Sequence, residues 1–184
     1  MNRTENSDQD ESKRASIPRW LAILIALVFW IIGIPLFYGV APWAISLLTP
    51  RYGWVADHAS PWNLIGLIPV VFAAACLVWI MVLHFAQAPT MPESVELELT
   101  PNYLLRRGPD AFSRHPMYLS ELALLLGWTI FYGSIVVLLA FAVASAFFNL
   151  VHVPREERAL EARFGDAYRE YKRIVPRWFG KVRS

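Results

Sequence analysis

The sequence predicts an all-α, polytopic membrane bundle of about four transmembrane helices, followed by a C-terminal cytoplasmic amphipathic helix. Three observations predict it. Apolar residues make up 56% of the 184 positions and mean hydropathy is +0.38, beyond what a soluble domain of this size carries. Windows 20–50, 58–92 and 122–154 contain no Asp, Glu, Lys or Arg, a segregation suited to lipid. The basic residues gather in the segments between and after those windows. The length suits one compact membrane domain and excludes a large transporter.

The first window opens at Trp20, behind Lys13, Arg14 and Arg19. As one helix it would span roughly 46 Å against a hydrocarbon core of about 30 Å, so a bend is expected at Gly33 and Pro35, with an interfacial exit near Tyr38, Pro42, Trp43 and Pro50. The apolar run exceeds the h-region of a signal peptide, about 7 to 15 residues, and lacks a small-residue cleavage site. A second span runs from about Trp62 to His84, where Ala73, Ala74 and Ala75 offer a close helix approach. The polar stretch from Pro89 to Arg114 lies outside the hydrocarbon. Two short helices then form a hairpin that turns at Tyr132, Gly133 and Ser134.

Lys and Arg number four before Trp20, three in 89–114 and nine after Val153, against Arg51 alone in 51–61. Basic residues near spans are retained inside, which predicts four spans with both termini cytoplasmic, in the inner membrane if the cell is bacterial. The domain plan is a disordered tail over 1–19, a transmembrane domain over 20–153 and a cytoplasmic helix and tail over 154–184. The lone Cys76 excludes an intramolecular disulfide. His58, His84, His115 and His152 are scattered without ligand spacing, so no metal is expected, and no feature points to nucleic acid.

From Pro154 to about Pro176, Glu157, Leu160, Phe164, Tyr168, Tyr171 and Val175 recur on one helical face. Glu156 and Glu157 suit the positive end of the helix dipole; either could instead point at a ligand. Upstream, residues 108–118 form a turn into a helix starting near Pro116, whose free amides make an anion site beside Arg114 and His115. Tyr118 offers a ring face to a cation. As ordinary interfacial residues, Arg114, His115 and Tyr118 would look the same. Glu121, one turn into an apolar span, needs the protein interior or the interface; pairing with Arg114 and contact with a ligand are both open to it. Asn149 with Ala142, Ser145 and Ala146 reads as a packing stripe.

Arg114-His115-Pro116-Met117-Tyr118, then Glu156-Glu157-Arg158-Ala159-Leu160, then Phe164-Gly165-Asp166-Ala167-Tyr168-Arg169-Glu170-Tyr171 and Val175-Pro176-Arg177 together resemble the isoprenylcysteine carboxyl methyltransferase and phospholipid methyltransferase family. The resemblance covers about residues 102–178. It implies a methyl donor, S-adenosyl-L-methionine, held by Asn102, Tyr103, Leu104, Leu105, Gly108, Arg114, His115, Pro116, Met117, Tyr118 and Glu156. It also implies membrane lipids as partners and a lipophilic or small-molecule methyl acceptor. Methyl transfer is an in-line displacement that needs alignment more than a protein nucleophile. If an amine acceptor requires a general base, His152 or Glu157 would supply it. The chain departs from the family pattern in Asp110 for a common tyrosine, Ser120 for glycine and His152 for the arginine that accompanies a prenylcysteine carboxylate. Two other readings stand beside this one: a membrane reductase of similar architecture using NADPH, although Gly108 lacks the glycine spacing of a phosphate loop, and a noncatalytic membrane scaffold.

Overall fold

The computed structural model describes residues 16–86, 94–96, 104 and 106–179. Asn102, Tyr103 and Leu105 lie outside the described residues, as do the tail before Ser16 and the residues after Phe179. A short strand β1 (Ser16–Pro18) leads into the long helix α1 (Arg19–Ser46). Proline inside a helix removes one amide donor and crowds the preceding turn. Here Pro35 is flanked by π-helical turns at Phe29–Gly33 and Leu36–Val40, which widen the coil and let the helix continue. The expected bend is thus taken up inside one unbroken element.

At the far end of α1, β2 (Trp54–Val55) and β3 (His58–Ala59) make a tight hairpin, with Ala56 and Asp57 both at positive φ in its turn. Helix α2 (Asn63–Ala86) follows, and β4 (Ser94–Glu96) pairs antiparallel with β1. A 3-10 turn at Gly108–Ala111 precedes α3 (Pro116–Tyr132). Gly133 ends α3 in the left-handed conformation, and Ser134 caps α4 (Ile135–Phe164). The predicted hairpin therefore turns at the predicted residues. The backbone amide of Tyr52 donates to the Gly133 carbonyl (3.0 Å), joining the β2–β3 side to the turn between α3 and α4. The chain runs through the bundle four times, so the start of α1 and the C-terminal segment share one end.

Among the described residues three helices, α1, α2 and α4, are long and apolar enough to cross a membrane. The fourth predicted span, α3, has 17 residues, or roughly 25 Å. It is the most protein-enclosed helix of the four, with Pro116, Ser120, Glu121, Leu124, Leu125, Gly127 and Tyr132 buried. A helix surrounded by others needs no uniform apolar coat, and Glu121 is tolerated for that reason. Its partner corrects the expectation from sequence: the Tyr38 hydroxyl of α1 donates to Glu121 at 2.9 Å, while Arg114 turns to Glu157.

A close helix approach also lies at two glycines. Of the three alanines only Ala73 is buried, in a core cluster with Ile34, Leu77 and Leu124. The backbones of α2 and α3 meet at Gly66 and Gly127, where a methyl group on Gly66 would lie 2.4 Å from the Gly127 carbonyl oxygen. Small residues permit such contact and the van der Waals packing it brings.

The helix expected from Pro154 to Pro176 is corrected twice. It is not separate from the last span, since α4 continues through a π-helical turn at Phe148–His152 into Val153–Phe164. It also breaks at Gly165, whose φ of 53° and ψ of −126° lie outside the helical region, and restarts as α5 (Asp166–Ile174). The apolar stripe survives the break, because Leu160, Tyr168, Tyr171 and Val175 still form one buried cluster.

Candidate functional site

The site is built where two segments, one before α3 and one after the π-helical turn of α4, are tied to the C-terminal strand of chain. Gly108, at φ +64° and with Leu83 of α2 only 2.5 Å from where a Cβ would sit, opens the 3-10 turn. From there the chain is stitched to the C-terminal segment. The Tyr171 hydroxyl donates to the Asp110 carbonyl (2.7 Å), the Ser113 hydroxyl to the Arg177 carbonyl (3.0 Å), and the Arg114 amide to the Pro176 carbonyl (3.0 Å). Arg106 donates to the Ala167 carbonyl. Leu104 packs against the Leu160–Tyr168–Tyr171–Val175 cluster.

Glu157 is the electrostatic centre. Only 5% exposed, it accepts a forked pair of hydrogen bonds from Arg177, at 3.1 Å to Oε1 and 2.6 Å to Oε2. Arg114 Nη1 stands 2.9 Å from Oε1, and His115 Nε2 at 3.3 Å. A buried charge is stable only when paired in this way. Nδ1 on the other side of the His115 ring lies 3.6 Å from Glu156 Oε2, so the imidazole bridges two consecutive carboxylates. Burial alone would lower the His115 pKa, but hydrogen bonding and charge from Glu156 and Glu157 outweigh it and hold the ring above its ordinary value. Burial pushes Asp110 up to about 7, against the lowering influence of its own backbone and of His115.

Rings line the same space. His115 stacks on Tyr118 with centroids 5.8 Å apart, Trp178 lies 6.0 Å from His115, and Phe148 lies 4.8 Å from Tyr118. The Tyr118 hydroxyl and His152 Nε2 are 2.8 Å apart. The π-helical turn brings this about: a residue added to the coil turns His152 toward α3 while Glu156 and Glu157 follow one turn later. Among the described residues the buried Glu156 Oε2, Arg114 Nε, Asp110 Oδ2 and Tyr168 hydroxyl make no hydrogen bond, although the His115 ring stands 3.6 Å from Glu156 Oε2.

Of the residues expected from sequence, Arg114, His115, Tyr118, His152, Glu156 and Glu157 are brought together. Pro116 is the buried first residue of α3, and Met117 packs toward the core cluster of Ile34, Ala73, Leu77 and Leu124. Gly108 and Leu104 shape the adjoining segment. Sequence reasoning left out Arg177 and Trp178. Arg177 stood within the quoted Val175-Pro176-Arg177 motif, so a signal was present; Trp178 had none beyond following it. Asn149, expected on a packing stripe, instead accepts a hydrogen bond from Trp178 Nε1 (3.2 Å).

The family model described as phospholipid methyltransferase matches residues 62–167, from the start of α2 into the beginning of α5. A protein of Haemophilus influenzae, described only as uncharacterized, is 44% identical over 62 residues, which cover 34% of this chain and 98% of that protein.

Proposed function

We propose, since the chain belongs to the phospholipid methyltransferase family, that it is an S-adenosylmethionine-dependent methyltransferase whose donor site is the Arg114–His115–Tyr118–Glu156 cluster. The observation that carries the reading is the Glu156 carboxylate, whose buried Oε2 makes no hydrogen bond among the described residues and has the His115 ring at 3.6 Å, beside a stacked aromatic pair. Buried polar atoms are ordinarily satisfied, and this one suits an ammonium. The Arg114 Nε suits a carboxylate, and the Tyr118 face suits a cationic sulfur. The donor carries those three groups, so the residues present fit it. When bound, S-adenosylmethionine supplies an electrophilic methyl group on a positively charged sulfur.

The protein's own residues align the partners and manage the proton. Glu157, held by Arg114, Arg177 and His115, is a positioning residue that fixes Arg114 and His115. With the His152 proton on Nδ1, the Tyr118 hydroxyl donates to Nε2. An acceptor amine then gives its proton to the Tyr118 oxygen as Tyr118 passes its own to His152. The acceptor is lipophilic or small, drawn from the surrounding membrane. The end of the bundle holding the site lies in the cytoplasm, because the Lys- and Arg-rich segments collect there.

Calorimetric titration of the detergent-purified protein tests this. S-adenosylmethionine should bind, and Glu156→Ala and His115→Ala should each weaken it at least tenfold. Binding of NADPH without S-adenosylmethionine would replace the proposal with a reductase, and binding of neither would leave a scaffold.

A further inference from the structure

A cavity of about 290 Å³ lies in the apolar part of the bundle, between α1 and α2 and against α3. Three aromatic rings border it, Trp30 and Tyr38 of α1 and Trp128 of α3, with Leu124 of α3 beside them. It shares no lining residue with the site around Arg114 and Glu156. Val78, on its rim, is 56% exposed, so the cavity opens toward lipid. Gly39 of α1 also lines it, and a methyl group on Gly39 would meet nothing within 4 Å.

The polar groups in its wall are already committed. The Tyr38 hydroxyl donates to Glu121 Oε2 (2.9 Å), and the Trp128 indole N–H to the Tyr38 carbonyl (2.6 Å). A ligand that depends on hydrogen bonds to these groups gains little, whereas an apolar molecule or a soft cation suits the rings. The carboxyl decides between the two. Glu121 stands behind the Tyr38 hydroxyl, 3% exposed, and no basic side chain among the described residues forms an ion pair with it, since Arg114 turns to Glu157. An acidic group at membrane depth marks a place where positive charge is stabilised, and aromatic rings attract cations most strongly where water is excluded.

We infer that this cavity binds a lipophilic organic cation, one whose charge is spread over a carbon framework, entering from the bilayer between α1 and α2. The rings make the contact, and Glu121 acts through Tyr38 as the counter-charge. A compact ammonium or guanidinium does not suit it, because the Tyr38 and Trp128 polar groups are taken and cannot replace the lost water. A neutral molecule of the same shape lacks the electrostatic attraction and binds more weakly. The inference stands apart from the methyl-transfer reading and does not depend on it.

Methyltriphenylphosphonium and its neutral counterpart of the same shape, triphenylethane with all three rings on one carbon, test the cavity on the whole protein in dodecyl maltoside. Tritiated phosphonium should bind saturably, and unlabelled triphenylethane should compete roughly tenfold more weakly than unlabelled phosphonium. Glu121→Gln keeps an acceptor for the Tyr38 hydroxyl and removes the charge, so it should make the two competitors equivalent. Gly39→Leu, which fills the space, should abolish saturable binding. S-adenosylmethionine at saturation should leave phosphonium binding unchanged. Equal competition by the two compounds in the wild-type protein overturns the cation site, as does unaltered discrimination in Glu121→Gln; displacement by S-adenosylmethionine would assign the phosphonium to the donor site instead. Should Gly39→Leu fail to fold, Trp30→Leu, which removes one ring, should weaken phosphonium binding roughly fivefold, and unchanged affinity there overturns the assignment.

Discussion

Replacing Glu157 with glutamine should dismantle the site while leaving the bundle intact. The substitution keeps the shape of the side chain and removes its charge, so the cost follows from what the carboxylate holds. Its contact with Arg114 is buried on both sides, with side chains 9% and 6% exposed. Breaking one partner of such a pair costs about 3–5 kcal/mol, because the other charge remains unpaired in low dielectric. The Arg177 pair is geometrically better, but the arginine side chain is 37% exposed, so solvent screening limits its share to about 1 kcal/mol. The loss should fall on the junction rather than on α1 to α3. Calorimetric S-adenosylmethionine affinity should drop at least a hundredfold, and amide exchange should accelerate at Arg114, whose backbone bonds Pro176, and through Val175 to Trp178. A double-mutant cycle with Arg177→Gln should give a coupling of about 1 kcal/mol. Donor affinity within twofold of wild type, with unchanged exchange in 175–178, would refute the view that Glu157 organises the pocket.

Other outcomes follow from the same geometry. Gly127→Ala places a methyl 2.7 Å from the Gly66 carbonyl oxygen and 2.6 Å from Val70; forcing α2 and α3 apart should cost about 1–3 kcal/mol, read as a lower melting temperature in detergent. Tyr38→Phe leaves the Glu121 carboxylate, 3% exposed, without its donor, and should cost about 1–3 kcal/mol with S-adenosylmethionine affinity unchanged. For pH, Asp110 and His115 are both raised, so in each the folded state holds its proton more tightly than the unfolded chain. The Asp110 contribution is lost as pH rises from its ordinary value toward about 7; that of His115 is fully present below about 6.5 and lost above it. Asp110→Asn should therefore match wild type only below about pH 4 and exceed it by a growing margin as pH rises toward about 7, measured by thermal unfolding across that range. A constant difference at all pH values would remove Asp110 as the cause.

The spans were legible because lipid imposes a one-dimensional rule, and long windows without charge answer it wherever they occur. The hairpin turn was legible because Gly133 and Ser134 are local end signals, as the left-handed φ and the cap show. The site was legible as two motifs whose meeting depends on a helical hairpin of the right length. What escaped depended on contacts between distant segments. Glu121 announced the need for a partner, but no spacing could select Tyr38, 83 residues away, over Arg114. Gly66 and Gly127, two single glycines without a spacing signal, meet across α2 and α3. Gly165 carried a break that the continuous apolar periodicity concealed, since Tyr168 and Tyr171 return to the same cluster after it. Arg177 and Trp178 belong to a segment without periodic signal, held by backbone bonds to Ser113 and Arg114.

The π-helical turn at Phe148–His152 works as a phase shifter in a single rod. Each residue inserted into a helix rotates everything beyond it by about 100°, so the turn sets the azimuth of the carboxylates independently of the face that α4 shows to lipid. Deleting one residue there would leave an intact span and swing Glu156 and Glu157 away from His115. No joint separates the two halves, so the lipid-crossing part of α4 and the carboxylates beyond the turn belong to one continuous helix.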